Sequence, residues 1–283
     1  MTALTFVGIG AIGLPMALQL ARAGYEVTGV DPAAGARERA SSAGIAAVAS
    51  ITDAARSEVV IVMVATPDHL ATLVEQAGDT ARGQTWVIMS TVGPEAIQSQ
   101  AALLNAAGAR VVDAPVTGGV ARARTGDLVV FASGESGALH AVTPILDALG
   151  TVRLVGDRVG NGQSVKIVNQ HLCSIHIVAA AEALSLADSL GLDRASALDL
   201  VSGGAAGSWM LSDRGPRMLG DTDVPVMSTI NIFVKDSGLV ASAAATSGAH
   251  VPLLTAARER YRLAADAGLG VRDDSRVIET YAR

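Results

Sequence analysis

Lys166 is a charged residue near the start of a long apolar segment, GNGQSVKIVNQHLCSIHIVAAAEALSLADSLGL, at residues 160–192. An isolated lysine usually packs its stem on the surface and keeps its amine in water. Here GNG interrupts the chain just before a predicted helix, which places the lysine near the positive end of the helix dipole. That position and partial burial both favour a neutral amine, which can exchange protons near neutral pH. Asn169 and Gln170 follow on the same helix face, where they could hold a substrate or the amine.

A second pattern, at the beginning of the chain, is typical of dinucleotide binding. Gly8, Gly10 and Gly13 form G-x-G-x-x-G between a strand-like run and a helix, and a second strand ends in Asp31. The glycines permit a tight turn, close approach of a pyrophosphate and close packing of helix on strand, while the helix N-terminus binds the phosphates. The Asp31 carboxylate can accept hydrogen bonds from the adenosine ribose and repels a 2′-phosphate, which favours NAD. Arg37 lies close enough in sequence to keep NADP open.

The segment DAPVTGG, residues 113–119, follows a strand with a hydroxyl group and two glycines. Successive backbone N–H groups in such a turn can bind an anion, and the Thr117 hydroxyl adds a donor. Taken alone, however, the segment fits an ordinary turn better than an anion site.

The elements that must position these residues fall into two parts. Short β-branched runs alternate with helical spacing over about the first 160 residues: LTFVGIG, EVTGVD, VVIVMVA, TWVIMST, RVVDAPV, LVVFASG and VRLVG. This alternation predicts an α/β, Rossmann-type doubly wound domain over residues 1–162. From residue 163 strand-like runs nearly vanish, which predicts an all-α domain over 163–283. The two are joined by a long helix over 163–192, and we expect the helical domain to serve substrate binding and dimerisation.

Composition limits the classes of function. The chain has 283 residues, a net charge of −6 and no basic cluster, which argues against nucleic acid as the main partner. The single Cys173 fits a reduced compartment, and the five histidines show no ligand spacing, so we expect no metal site. The run SEVVIVMVA is too short to span a bilayer, and no signal-peptide pattern follows Met1. These features predict a soluble, cytoplasmic protein that does not bind membranes.

Four motifs together resemble the β-hydroxyacid dehydrogenase family, which includes 3-hydroxyisobutyrate dehydrogenase and tartronate semialdehyde reductase. GIGAIGLPMALQL resembles the cofactor signature, DAPVTGG the substrate motif, GNGQSVKIVNQ the catalytic segment and FVKDSG, at 233–238, the late Lys-Asp motif. Their order is that of the family, and the resemblance covers almost the whole chain. It implies an NAD(P)-dependent oxidoreductase acting on a small hydroxy acid.

The resemblance also implies roles for matching positions. Lys166 would be the general acid/base, and Thr117, Gly118 and Gly119 would bind the substrate carboxylate. The segment VATP, residues 64–67, would lie along the dinucleotide. The expected cofactor contacts are Gly8, Gly10, Ile12, Gly13, Asp31, Val64, Ala65, Thr66, Thr91 and Lys235.

Two departures from the family pattern concern the substrate. Thr117 stands where the family usually has Ser, and Gln170 stands where it usually has Asn. Both changes resemble the L-threonate dehydrogenase subgroup, as does GSWMLSDRGPRML at 207–219. We therefore expect a four-carbon sugar acid as substrate, contacted by Asn169, Gln170 and Trp209 as well as by the Thr117 turn.

Other functions remain open at this stage. Within the family, the alternatives are a 3-hydroxyisobutyrate dehydrogenase and a tartronate or succinic semialdehyde reductase; Lys166 argues against an imine reductase. A non-catalytic dinucleotide sensor would keep GIGAIG without needing Lys166 or DAPVTGG, and a helical assembly module would need neither. The apolar helical half predicts a homodimer or homotetramer.

Overall fold

The computed structural model describes residues 2–281. It divides into two compact units, Met1–Lys166 and Ile167–Arg283. The sequence-based boundary at 162/163 lies slightly earlier than this division, which falls inside a long helix.

A nine-stranded sheet forms the centre of the first unit. Its strands are β1 (Ala3–Val7), β2 (Glu26–Val30), β3 (Ala46–Val48), β4 (Val59–Val62), β5 (Thr85–Ile88), β6 (Arg110–Asp113), β7 (Val116–Thr117), β8 (Leu128–Gly134) and β9 (Gly150–Gly156). The order is β3-β2-β1-β4-β5-β6-β8-β7, with β9 beside β8. The strands from β3 to β6 are parallel, in the order of the Rossmann fold. The predicted α/β fold class is confirmed.

Helices accompany these strands as the sequence alternation predicts. They are α1 (Gly13–Arg22), α2 (Ala34–Ser42), α3 (Pro67–Ala77), α4 (Pro94–Ala106), α5 (Gly119–Thr125) and α6 (Ser136–Asp147). Side chains of the central strands alternate between two buried clusters. Val59 and Ile61 belong to one cluster, whereas Val60 and Val62 belong to the other. This period of two, with both faces apolar, is the pattern of a parallel sheet that is covered on both sides.

The second unit is helical. The long helix α7 (Asn161–Ser189) runs into it from the first unit, and α8 (Arg194–Ser202), α9 (Trp209–Met218), α10 (Ile230–Ser247) and α11 (Pro252–Ala264) follow. Its core includes a stacked aromatic pair, Phe233 and Tyr261, whose ring centroids lie 5.2 Å apart. The Tyr261 hydroxyl donates to the Ser174 carbonyl of α7 at 2.9 Å. The all-α character predicted for this half is confirmed.

Helix α7 differs from the predicted span of 163–192 at both ends. Its first turn begins earlier, because the buried Asp113 carboxylate accepts hydrogen bonds from the backbone N–H groups of Gly160 and Gln163. It also ends earlier, at Ser189, and is followed by Gly191, which has φ +73°. The Leu192 N–H then bonds back to the Ala187 carbonyl at 2.9 Å, an arrangement typical of a helix C-terminus.

By length and composition alone, α7 is apolar enough to cross a membrane. Core helices of soluble proteins meet the same criterion. In the second unit α7 contributes Ile177, Ala181 and Leu184 to the buried core. Leu186 of α7 and Leu190, which follows the helix, are both more than half exposed.

Candidate active site

The predicted cofactor residues of the first unit lie in loops that follow β1, β2, β4 and β5. Because these strands are parallel neighbours, their carboxyl ends meet at one edge of the sheet, where open α/β sheets bind ligands. The fold therefore gathers the Gly8–Gly13 turn, Asp31, Val64–Thr66 and Thr91 along this edge.

The three motif glycines have different local requirements. Gly8 adopts φ +89°, and a Cβ there would lie 2.4 Å from the Met63 carbonyl oxygen. A Cβ at Gly13 would lie 1.8 Å from the Gly8 carbonyl oxygen, so α1 packs directly on the turn. A Cβ at Gly10 would meet no protein atom within 4 Å. Ile12, at the start of α1, provides no side-chain cap, so the turn and helix end suit a pyrophosphate.

The Asp31 carboxylate is oriented by the backbone of the same edge. Its Oδ2 accepts from the Ile9 N–H at 3.1 Å, and its Oδ1 accepts from the Ala33 N–H at 2.9 Å. Arg37 donates from Nη1 to the carbonyls of Asp31 and Pro32 at 2.8 and 2.7 Å. The carboxylate thus fits an adenosine ribose, while the Arg37 guanidinium is engaged by main-chain acceptors.

The loops after β4 and β5 are linked to each other. The Val64 N–H donates to the Ser90 hydroxyl at 2.7 Å, which joins the VATP segment to the loop that carries Thr91. Thr66 accepts at its hydroxyl from the His69 N–H at 3.2 Å and so caps α3. Ala65 lies between these two anchored positions.

The DAPVTGG turn adopts a backbone that requires glycine. Thr117 ends the short strand β7, opposite Val129 of β8. Gly118 and Gly119 follow with φ +130° and +67°, and a Cβ at Gly118 would lie 2.8 Å from Arg122 Cδ. Two consecutive residues at positive φ expose backbone groups that a side chain would otherwise cover, so the turn remains a candidate carboxylate site.

Lys166 is buried, with 7% of its surface exposed, and lies in the second turn of α7. The start of that helix is held by Asp113, which is fully buried and accepts from the N–H groups of Gly160 and Gln163 at 2.9 and 3.0 Å. Ser133 donates to the same carboxylate at 3.3 Å. Burial raises the pKa of Asp113, and the hydrogen bonds from Gln163, Gly160 and Ser133 oppose that rise.

Gln163, one turn before Lys166, joins this network to the loop after β5. Its side chain contacts Asp113 and the backbone of Ser90, Val92 and Gly93. Sequence analysis assigned no role to Gln163 or Asp113, although both lie within the recognised motifs. A lone glutamine in a helix has no spacing pattern, so no signal in the residues alone marks it.

The second unit places Gln170 in a polar cluster with Asp236. Gln170 is 6% exposed and donates from Nε2 to Asp236 Oδ2 at 2.5 Å. Asn169 donates from Nδ2 to Gln170 Oε1 at 2.8 Å. Lys235, an expected cofactor contact, forms an ion pair with Asp236 at 2.8 Å. The cluster therefore fixes the orientation of the Gln170 amide.

Trp209, expected to line the substrate, begins α9 and is 45% exposed. The guanidinium of Arg214 lies 5.5 Å from its ring centroid. Arg214 is itself buried and pairs with the fully buried Asp274 at 2.9 Å and with Asp213 at 2.7 Å. Sequence analysis missed this ion-pair cluster, because Asp274 is 60 positions away from Arg214. Among residues 2–281, no group of three or more His, Cys, Asp or Glu could hold a metal ion.

Comparison with known proteins covers both halves of the chain. Residues 3–162 match the family model for the NAD binding domain of 6-phosphogluconate dehydrogenase. Residues 160–281 match the family model described as NAD-binding of NADP-dependent 3-hydroxyisobutyrate dehydrogenase.

Individual relatives match over nearly their full lengths. L-threonate dehydrogenase from Cupriavidus necator is 34% identical, over 97% of this chain and 94% of the relative. The 2-hydroxy-3-oxopropionate reductase of Escherichia coli K12 is 31% identical, over 98% and 96%. The crystal structure of 3-hydroxyisobutyrate dehydrogenase from Salmonella typhimurium is 33% identical, covers 99% of this chain and all of that one, and has a TM-score of 0.91.

Proposed function

Because the chain belongs to the β-hydroxyacid dehydrogenase family of 3-hydroxyisobutyrate dehydrogenase-like enzymes, we propose that it oxidises a four-carbon sugar acid such as L-threonate. The coarser assignment, an NAD-dependent hydroxyacid dehydrogenase, follows from the family. The observation that carries the finer proposal is the buried Gln170 amide, whose orientation is fixed by Asp236. A fixed amide suits a substrate with additional hydroxyl groups, because such a site discriminates strongly against analogues that lack them.

Lys166 performs the proton transfer in this proposal. During oxidation its neutral amine takes the proton of the substrate hydroxyl at Nζ, and in the opposite direction the ammonium returns that proton. The hydride that leaves the hydroxyl-bearing carbon would be taken up by the nicotinamide that a bound NAD supplies. Burial of Lys166 limits competition from water at the amine.

The remaining residues bind and orient the substrate and the cofactor. The turn formed by Thr117, Gly118 and Gly119 holds the substrate carboxylate, and Asn169, Gln170 and Trp209 contact the rest of the molecule. The edge of the sheet binds the dinucleotide through the Gly8–Gly13 turn and Asp31. Val64, Ala65, Thr66, Thr91 and Lys235 supply further cofactor contacts.

A competing substrate is favoured by a specific observation, the close match to the solved 3-hydroxyisobutyrate dehydrogenase of Salmonella typhimurium. To distinguish L-threonate from 3-hydroxyisobutyrate as the preferred substrate, the formation of NADH from NAD is measured with a panel of hydroxy acids. We expect L-threonate to give the highest kcat/KM, above 3-hydroxyisobutyrate. Equal or better activity on 3-hydroxyisobutyrate would contradict the sugar-acid assignment and leave the dehydrogenase class intact.

We further propose that the helical unit forms a homodimer or homotetramer. A groove of about 590 Å³ lies among α7, α8 and the start of α9, and its lining is mostly apolar. Leu186, Leu190 and Leu192 line it and are 57%, 66% and 54% exposed. Exposed apolar surface of this kind marks protein interfaces. Light scattering should give a mass of two or four chains, and Leu190→Glu should lower it; a monomeric unmodified protein would contradict the proposal.

The protein is also proposed to act in the cytoplasm, without membrane or nucleic-acid partners. The net charge of −6 disfavours binding to anionic surfaces. Recovery of the protein in the membrane fraction after cell lysis would contradict this assignment.

A further inference from the structure

The side chain of Gln163 uses its whole hydrogen-bonding capacity within the first unit. Its Oε1 accepts from the N–H groups of Val92 and Gly93, both at 3.0 Å. Its Nε2 donates to the Ser90 carbonyl at 2.9 Å and to Asp113 Oδ1 at 3.1 Å. A primary amide offers two donors and an oxygen with two lone pairs, so all four are paired. The residue is fully buried.

These four bonds join three separate elements. Ser90, Val92 and Gly93 belong to the loop after β5, residues 90–93, which also contains Thr91 and is here named the β5 loop. Asp113 ends β6, and Gln163 itself lies in the first turn of α7. We propose that Gln163 is a positioning residue that fixes the β5 loop, with its cofactor contact Thr91, relative to Lys166. This inference rests on the proposed function, in which Lys166 transfers the proton.

Asp113 accepts hydrogen bonds from both the backbone and the side chain of Gln163. Its Oδ2 accepts from the Gln163 backbone N–H at 3.0 Å while its Oδ1 accepts from the Gln163 side chain. The helix is also pressed against the sheet at Gly162, where a Cβ would lie 2.5 Å from the Phe131 carbonyl oxygen. The Gly162 N–H donates to Ser133 at 2.9 Å. The first turn of α7 therefore has one defined position relative to β5, β6 and β8.

Lys166 follows Gln163 by three residues, which is slightly less than one helical turn. A shift of the first turn is therefore transmitted directly to the lysine. A misplacement of about 1 Å in a reacting group can cost about 10²-fold in rate. Loss of the Gln163 bonds should therefore lower kcat through geometry, although Gln163 need not touch a substrate.

Gln84 provides a matched control in the same unit. It is also a buried glutamine, and it donates from Nε2 to the Ser57 carbonyl at 2.9 Å and accepts from Trp86 Nε1 at 3.2 Å. However, it precedes β5, whereas the β5 loop follows that strand. Gln84→Met should therefore cost stability without displacing Lys166 or Thr91.

The test compares Gln163→Met with Gln84→Met. Four quantities are measured: Tm, kcat and KM with the best hydroxy acid, and the hydrogen-exchange rates of the Val92 and Gly93 amides. Both variants should lower Tm. Only Gln163→Met should lower kcat, by about 10²-fold, with a smaller change in KM. Only that variant should speed exchange at Val92 and Gly93, by about tenfold or more, because their acceptor is lost.

Unchanged exchange at Val92 and Gly93 in Gln163→Met, or an equal loss of kcat in both variants, would overturn the proposal. If Gln163→Met does not fold, Gln163→Asn replaces it, because the shortened amide cannot reach the β5 loop and Asp113 together. Hydrogen exchange at Val92 and Gly93 needs no substrate, so it tests the link between Gln163 and the β5 loop even if Lys166→Ala retains turnover. That last result would instead refute the proposed function.

Discussion

The Asp31 carboxylate accepts a hydrogen bond from the Ile9 N–H at 3.1 Å, which joins the end of β2 to the glycine turn after β1. The acid that is expected to contact the ribose is thereby fixed beside the turn that is expected to hold the pyrophosphate. Because its second oxygen accepts from Ala33, the carboxylate has little freedom to move away from a bulky 2′-phosphate.

Cofactor preference should therefore depend on Asp31. In the double variant Asp31→Ser with Pro32→Arg, the repelling carboxylate is removed and a cation is added, so preference should shift toward NADP. The measurement is the ratio of kcat/KM for the two dinucleotides at saturating substrate. An unmodified protein that already uses NADP better than NAD would contradict the role given to Asp31.

Substrate preference should depend on Gln170. Its amide is oriented by Asp236, and Gln170→Asn keeps the amide but withdraws it by one methylene. The unmodified protein should prefer L-threonate to 3-hydroxyisobutyrate by about tenfold or more in kcat/KM. The variant should narrow that ratio, because kcat/KM for L-threonate should fall more than kcat/KM for 3-hydroxyisobutyrate. If kcat/KM falls by the same factor for both substrates, Gln170 does not recognise the additional hydroxyl groups.

Stability of the helical unit should depend on Arg214. Arg214→Leu leaves the fully buried Asp274 without the guanidinium at 2.9 Å. Removal of one partner from a buried ion pair typically costs about 3–5 kcal/mol. The exposed pair of Arg272 and Asp223 is the control, since Arg272→Leu should cost no more than about 1 kcal/mol. Urea unfolding measures both, and similar costs for the two variants would refute the distinction.

The pH dependence of stability should carry a contribution from Asp113, whose pKa is raised by burial. Between the ordinary carboxyl pKa and this raised value, the folded state keeps a proton that the unfolded state has released. Stability relative to Asp113→Asn should therefore fall as pH rises through that window and level off above it.

Glu135, an exposed residue that caps a helix, serves as a control because its contribution to stability should change with pH in the opposite direction. Hydrogen bonds from the Gly137 and Ala138 N–H groups lower the pKa of Glu135. The unmodified protein should therefore be more stable than Glu135→Gln above the ordinary carboxyl pKa. This advantage should be lost as pH falls through the lowered pKa of Glu135. The measurement is the free energy of unfolding at a series of pH values. If its difference from the unmodified protein changed with pH in the same direction for Asp113→Asn and Glu135→Gln, the two assignments would be contradicted.

The features that sequence analysis predicted correctly are those with a local pattern. The seven β-branched runs became strands, and the glycine turn and Asp31 directly follow β1 and β2. Two short strands were not predicted, β3 (Ala46–Val48) and β7 (Val116–Thr117). The first is mostly alanine and the second has only two residues, so their pairing depends on neighbouring strands rather than on local preference.

Long-range polar contacts could not be predicted. Gln163 acts on residues about 50 and 70 positions earlier, and its partners are mostly backbone groups that any sequence supplies. The same holds for Gln170 with Asp236 and for Arg214 with Asp274, whose partners are 66 and 60 positions away. Only the packing of strands and helices brings these groups together.

Proton transfer by Lys166 is the central claim, and kinetics of Lys166→Ala test it most directly. The variant should bind NAD with nearly unchanged affinity, because the dinucleotide contacts of the sheet edge remain. Its kcat with the best hydroxy acid should fall by about 10²–10⁴-fold, the contribution typical of a general acid/base. A variant that binds NAD normally and retains near-normal kcat would contradict the account.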